Sequence, residues 1–316
     1  MKKKQLHTSG LDRRQFLAGT TAALALASAP GLAWAKGEAG SWVDAHCHAW
    51  SSDLSRYPMN KGRTREDLKP TDVSASGLLQ LEKPLRVNKI VLVQHIWYHG
   101  LDSSYLTDAA KEHPGQFAVV GAVGETNEQG PALMLEKKAE GVKGFRVRGF
   151  GTADWVASPI MNEMFKVAAN ENLNICPLIR NNAKMDDDAL LHIAALCDKH
   201  PQTRVVIDHM GTVMPGDDKQ LGRLLALAKR ENVFVKVSGF NKFDLPPYDK
   251  LKSQIAKLIE AYGVERLMWG SDLPVLEYEK PHNLQASFDL INSGLGLSAD
   301  EKQWLLAGAA EKAFFS

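Results

Sequence analysis

Only three cysteines, Cys47, Cys176 and Cys197, occur in the 316 residues. A number so small, and odd, excludes a disulfide framework, so the fold must rest on a hydrophobic core. An excess of charge of one sign is also missing. Lysine and arginine number 38 against 37 aspartates and glutamates, a net +1, which removes the electrostatic basis for a nucleic-acid partner. The most apolar run, Phe16 to Ala29, falls short of the about 20 residues a membrane span needs. No later stretch is long and apolar enough to enter a bilayer, and no internal repeat of the solenoid kind is present.

What the chain does have begins with a leader-like start. Three lysines, the pair Arg13–Arg14, the Ala/Leu run and "AWA" ending at Ala35 follow one another in the order of a signal peptide. Arg13, Arg14, Gln15, Phe16 and Leu17 resemble a twin-arginine export signal, with Asp12 where serine or threonine is commoner. The expectation is a signal peptide over 1–35, recognition by the twin-arginine export machinery, a mature chain from Lys36 and a periplasmic location. That route carries proteins already folded, often with a cofactor in place, which favours a bound metal.

Beyond the leader, short β-branched runs alternate with helix-period segments. The expected strands are 41–46 (SWVDAH), 88–94 (NKIVLVQ), 116–124 (QFAVVGAVG), 142–149 (VKGFRVRG), 174–181 (NICPLIRN), 203–211 (TRVVIDHMG), 232–239 (NVFVKVSG) and 266–272 (RLMWGSD). Helix starts are signalled by Ser158–Pro159 and by Ser298, and stops by Gly141 and Pro201. Strands without clean polar alternation suit a parallel sheet covered on both faces. Eight βα units with no linker between them predict an α/β fold, a single (β/α)8 TIM barrel over 36–316.

Barrel enzymes place their chemistry where the strands end. Those ends offer His46 and His48, His95, Arg146 and Arg148, Arg180 and Asn181, Asp208 and His209, Lys236 and Ser238, and Asp272. Alternation along the first strand puts Asp44, His46 and His48 on one face and Ala45 and Cys47 on the other. The first and last strands become neighbours on closure, so His46, His48 and Asp272 form a candidate site for a divalent metal, Zn²⁺ or a similar ion, with room for an activated water. The competing reading makes the histidines hydrogen-bonded groups of a polar barrel mouth and Asp272 the cap of the following loop.

Five motifs in order, "VDAHCHAW", "VKGFRVRG", "VVIDHMG", "VFVKVSG" and "ERLMWGSDLPV", together resemble the amidohydrolase-related (amidohydrolase 2) TIM-barrel family. Within it they are most similar to the sugar-lactone and pyrone-dicarboxylate lactonase branch. The resemblance implies His46 and His48 as metal ligands or substrate-polarising groups and Asp272 as ligand or general base. It implies His209 as a catalytic group that polarises a carbonyl or relays a proton, and Arg146 or Arg148 as the grip on a substrate carboxylate. Arg148 is favoured because it lies nearer the strand's end. Metal-dependent relatives usually add a histidine from the fifth strand. Here that strand carries Cys176, which reads better as a small buried hydrophobe than as a ligand.

His95, Trp97 and Tyr98 in "QHIWYHGLD" are expected to line the substrate pocket. Lys236 reads as an interior ion-pair partner or a substrate contact, not as a metal-bridging or catalytic amine. The polar, basic segment "SSDLSRYPMNKGRTREDLKP" after the first strand is either a solvated loop or a lid over an anionic substrate. The function expected is an exported hydrolase that opens a small lactone, carboxylate- or sugar-derived, by water attack at the barrel mouth. Two alternatives stand beside it, a metal-dependent non-oxidative decarboxylase of an aromatic or muconate-type acid and a non-catalytic periplasmic binding protein.

Overall fold

Eight parallel strands follow one another in chain order: β1 Trp42–Cys47, β2 Val87–Val93, β3 Phe117–Gly121, β4 Val142–Val147, β5 Asn174–Pro177, β6 Arg204–Ile207, β7 Val233–Val237 and β8 Leu267–Trp269. They come from a computed structural model that describes residues 40–148, 155–179 and 188–316. The expected leader, Arg180 and Asn181 lie outside the described residues. All eight strands fall where the β-branched runs predict them, and they form the (β/α)8 barrel.

Helices between the strands obey local rules. Ser158 caps the helix Pro159–Glu171 by accepting from the Met161 amide at 3.1 Å. Ser298 and Glu301 form a capping box, each side chain accepting from the other's backbone amide. Two further helical segments, Ile96–His99 and Leu284–Asp289, have no counterpart in the sequence pattern, because one or two turns are too short to express a period.

Strand alternation divides the core into two layers. Ile90, Leu92, Val119, Phe145, Val205 and Val235 pack outward against the helices, while Val43, Ala45, Val91, Val93, Val206 and Met268 fill the interior. Each fully buried Val, Leu, Ile, Phe or Met side chain among them contributes roughly 1.5–3 kcal/mol. The C-terminal helical segment closes the far end of the barrel. Phe314 and Ala313 join the interior layer, and the Ala313 carbonyl accepts from Asn174 Nδ2 at 2.8 Å and Arg204 Nη1 at 2.9 Å, from the first residues of β5 and β6.

The seam between β8 and β1 is irregular and matters most for the site. Beyond the end of β8, the Asp272 amide donates to the His46 carbonyl at 2.8 Å and the His48 amide to the Leu273 carbonyl at 2.7 Å. Pairing of β1 with β2 shifts register between Asp44 and Cys47. This corrects the expected alternation: the irregularity sends Asp44 away from His46 and toward the outer layer with Cys47. The Asp44 carboxylate there accepts from the His46 amide at 2.8 Å and the Ser271 amide at 3.0 Å. Gly270 permits the close approach, since a Cβ on it would stand 2.7 Å from His46 Cβ.

Candidate active site

The strand ends converge on a cavity of about 440 Å³ whose polar wall includes His48, His95, Arg146, Arg148, His209 and Asp272. His46 lies directly beneath, with no exposed surface. His46 Nε2 is 3.7 Å and His48 Nε2 3.4 Å from Asp272 Oδ1. His209 stands beside them, its ring 4.5 Å from that of His46 and its Nε2 3.9 Å from Asp272 Oδ2. The turn after β6 that presents His209 is left-handed at His209 (φ 50°), and Asp272 is left-handed too (φ 65°). Such backbone conformations are costly for residues other than glycine and gather at functional sites.

Beneath the cavity, a charged foundation crosses the barrel. Asp208 takes Lys236 Nζ on Oδ1 at 3.2 Å and Arg146 Nε on Oδ2 at 3.1 Å. Lys236 is thus the interior ion-pair partner its position suggested, and Arg146 is likewise held in an ion pair. Burial alone would raise the Asp208 carboxyl, yet Lys236, His46 and Arg146 together hold it well below the ordinary carboxylate range. Asp272 behaves the same way: the charge of Lys242, above all, outweighs its burial and keeps it ionised.

The imidazoles are neutral. Burial, followed by the charge of Lys236, lowers His46, and burial first lowers His48. Burial and Lys242 bring His209 down to about 3, while burial and His48 bring His95 to about 2. Hydrogen bonds then select the tautomers. His48 Nδ1 lies 2.7 Å from the Val93 carbonyl, which can only accept, so the proton is on Nδ1 and the Nε2 lone pair faces Asp272. His46 Nε2 lies 3.1 Å from Arg146 Nη2, which can only donate, so the proton is on Nδ1, 3.3 Å from Asp208 Oδ1 and 3.2 Å from Lys236 Nζ.

This donor set fits a metal ion. His46, His48 and Asp272 offer ligand atoms all within 4.8 Å of one another, and tetrahedral ligands about 2.0–2.2 Å from zinc lie a little over 3 Å apart. Two acceptors, His48 Nε2 and Asp272 Oδ1, face each other at 3.4 Å with no proton assigned between them, an arrangement a cation relieves. The second ring nitrogens are oriented as metal-bound imidazoles require. Arg146 Nη2 on His46 Nε2 is the group an arriving ion meets. Cys176 is not part of the set: it lies in the apolar interior layer, its thiol pushed up by burial to about 12.

Trp97 and Tyr98 part company. Trp97 is about half exposed on the cavity rim, whereas Tyr98 is buried with Trp50 and Leu68 behind the wall and its hydroxyl meets the backbone of Lys69. The expectation that both line the pocket is corrected for Tyr98, because adjacent residues on the helix Ile96–His99 point about 100° apart. The long segment after β1 is tied down by Trp50 Nε1 donating to the Pro70 carbonyl at 2.9 Å and by Tyr57 on Asp108 at 3.0 Å. It brings Arg63 over the Trp97 ring at 3.5 Å. Lys242, in the turn Phe240–Lys242 after β7, reaches the cavity and places Nζ 2.5 Å from Asp272 Oδ2. Sequence reasoning passed over it, since five residues beyond a strand no periodicity assigns a direction.

The amidohydrolase family model matches residues 43–315. The chain belongs to the amidohydrolase family. Among family relatives it is 26% identical to an L-fucono-1,5-lactonase of Burkholderia ambifaria over 245 residues, 74% of this chain and 80% of that protein. It is also 26% identical to a 4-sulfomuconolactone hydrolase of Rhizobium radiobacter over 267 residues, 80% of this chain and 82% of that one. A crystal structure of a probable 2-pyrone-4,6-dicarboxylic acid hydrolase from Acinetobacter baumannii, with citric acid bound, superposes with a TM-score of 0.71 at 19% identity, covering 87% of this chain and all of that one. These likenesses agree with the lactonase branch to which the strand-end motifs point.

Proposed function

We propose that this amidohydrolase opens a small lactone by attack of water at the C-terminal mouth of the barrel. The observation that carries the reading is Asp272, an ionised carboxylate at the cavity wall among neutral imidazoles. A carboxylate so placed accepts the proton of a water as the water oxygen bonds to the lactone carbonyl carbon. Arg146 and His209 serve the developing oxyanion, Arg146 as a fixed cation and His209 through Nε2–H when Ser238, 2.8 Å from Nδ1, donates to that nitrogen. His46 and His48 present lone pairs to the site, so they accept hydrogen bonds or hold an ion and do not donate to an oxyanion. His46, His48 and Asp272 would hold a divalent ion, and when bound such an ion polarises a carbonyl or acidifies water.

Arg148 on the cavity wall suits a substrate carboxylate through its planar fork, and Trp97 and His95 suit a flat ring. Two lactone-named relatives support this substrate class. The leader completes the proposal: residues 1–35 are removed on export through the twin-arginine route, and the enzyme works in the periplasm. The test is a panel of carboxylated, sugar-derived and simple lactones, followed by proton release, beside aromatic and muconate-type acids followed by carbon dioxide release. Ring opening without carbon dioxide is the expected result. Carbon dioxide release would make the chain a decarboxylase, and tight binding without turnover would make it a binding protein. N-terminal sequencing of the periplasmic protein tests the leader, with Lys36 expected first.

A further inference from the structure

Opening a lactone needs two proton movements, one away from the attacking water and one onto the ring oxygen that leaves. Asp272 accounts for the first. Among the described residues, the groups around the cavity leave few candidates for the second. His48 turns a lone pair to the site, His95 packs against the His48 ring at 5.2 Å, and His209, with Nδ1 on Ser238, is already placed on the oxyanion. Arg146 and Arg148 are guanidiniums, which do not release protons. The foundation lysine, Lys236, is wholly buried below the cavity.

Lys242 differs from all of these. Its side chain is 35% exposed, it lines the cavity, and it reaches Asp272 at Oδ2, the oxygen His209 also approaches and the one turned away from His46 and His48. One N–H of its ammonium lies on Asp272 Oδ2, while Oδ1 of the same carboxylate faces His46 and His48. An ammonium carries three N–H groups, and Asp272 engages one. Oδ1 of Asp272 thus lies on the side of His46 and His48, and Oδ2 on the side of Lys242 and His209. The spacing of those two oxygens resembles that of the attacking and leaving oxygens on one tetrahedral carbon.

Resting on the lactonase reading, we propose that Lys242 is a catalytic residue that protonates the leaving ring oxygen, and that Asp272 and Lys242 act as one base–acid couple. The oxygen of water bonds to the carbonyl carbon, its proton passing to Asp272, and the carbonyl π pair moves to oxygen. As the carbonyl re-forms, the ring C–O bond breaks and its electron pair stays on the ring oxygen, which takes a proton from Lys242 Nζ. The resulting amine recovers a proton from the Asp272 carboxyl beside it. Lactone and water become a hydroxy acid, and both side chains return to their starting states.

A series of lactones graded in the acidity of the hydroxyl they release, from alkanol to phenol, tests the couple. Wild type, Lys242→Met and Lys242→Arg are compared by kcat and KM, with the melting temperature of each variant as a control. In Lys242→Met, kcat on alkanol-releasing lactones falls on the order of 10²–10⁴-fold, the usual worth of a positioned general acid, while phenol-releasing lactones lose far less because a phenoxide departs unaided. Lys242→Arg keeps a cation on Asp272 but releases no proton, so it follows Lys242→Met. Equal losses across the series, or recovery of alkanol-releasing substrates by arginine, would overturn the couple and leave Lys242 as a support for Asp272. A wild type that opens no lactone overturns the lactonase reading and this inference with it. If Lys242→Met does not fold, the slope of kcat against leaving-group acidity in Lys242→Arg decides alone.

Discussion

Lys236 Nζ stands 3.2 Å from Asp208 Oδ1, and neither side chain has any surface exposed to solvent. The pair lies beneath the candidate site and holds His46 from below. Breaking such a pair is costly because the remaining charge is stranded in the interior. Asp208→Asn is expected to destabilise the barrel by about 3–5 kcal/mol, read as a lowered melting temperature, and Asp208→Asn with Lys236→Met to recover much of the loss. Because the folded carboxyl is held below its ordinary value, its contribution is present above the unfolded pKa, about 3.9, and is lost as pH falls toward the folded one. Acid unfolding of the double variant should therefore be shallower than that of the parent. Equal stability of the parent and Asp208→Asn would contradict the foundation.

Asp272→Asn keeps the shape of the side chain and removes its capacity to take a proton. Turnover is expected to fall at least 10²-fold, with circular dichroism and melting temperature close to the parent. Full activity in this variant would sink the assignment of Asp272 as base.

Glu82 has no exposed surface. Its Oε1 accepts from Cys47 Sγ at 3.4 Å, while Oε2 has no partner that a charged carboxylate could use. Burial, then the charge of nearby Asp44, raises its pKa well above the ordinary value, so Glu82 is carried as a neutral acid. A group with a raised folded pKa stabilises fully below its unfolded pKa, and that stability is lost as pH rises through the folded one. Glu82→Gln keeps a donor and an acceptor without this loss. Its melting temperature should match the parent near pH 4 and equal or exceed it at pH 8; a drop at pH 8 would mean that the glutamate is charged.

Gly239 turns in the left-handed region (φ 70°), and a Cβ there would stand 2.8 Å from His209 Nδ1. Gly239→Ala is expected to move the His209 ring, costing activity by a tenfold or greater fall in kcat/KM. The backbone should lose about 1–3 kcal/mol of stability for the strained conformation. Unchanged kinetics would show that the ring tolerates displacement.

Metal content gives a separate measurement. Protein loaded with Zn²⁺ and then passed through a desalting column should retain about one ion per chain. His48→Ala, which removes one of three donors, should retain much less. Equal retention by the parent and by His48→Ala would place any bound ion elsewhere.

Eight strands, their order, the serine caps and the gathering of ionisable groups at strand ends could all be read from the chain. Each depends on the periodicity of a few consecutive residues or on short-range capping rules. His46, His48 and Asp272 were legible as partners because barrel closure makes the first and last strands neighbours whatever lies between them. Other features required the tertiary structure. Asp44 turned away from His46 because β1 slips its register against β2, and Tyr98 turned behind the wall on a helix too short to leave a pattern. His46 meets Arg146 across 100 residues of chain, and Lys242 reaches Asp272 from an irregular turn across 30. Local sequence determined where the strands end, since backbone propensity acts over a few residues. Which charged groups meet there was decided by packing, since the field each one feels comes from side chains brought together only when the barrel closes.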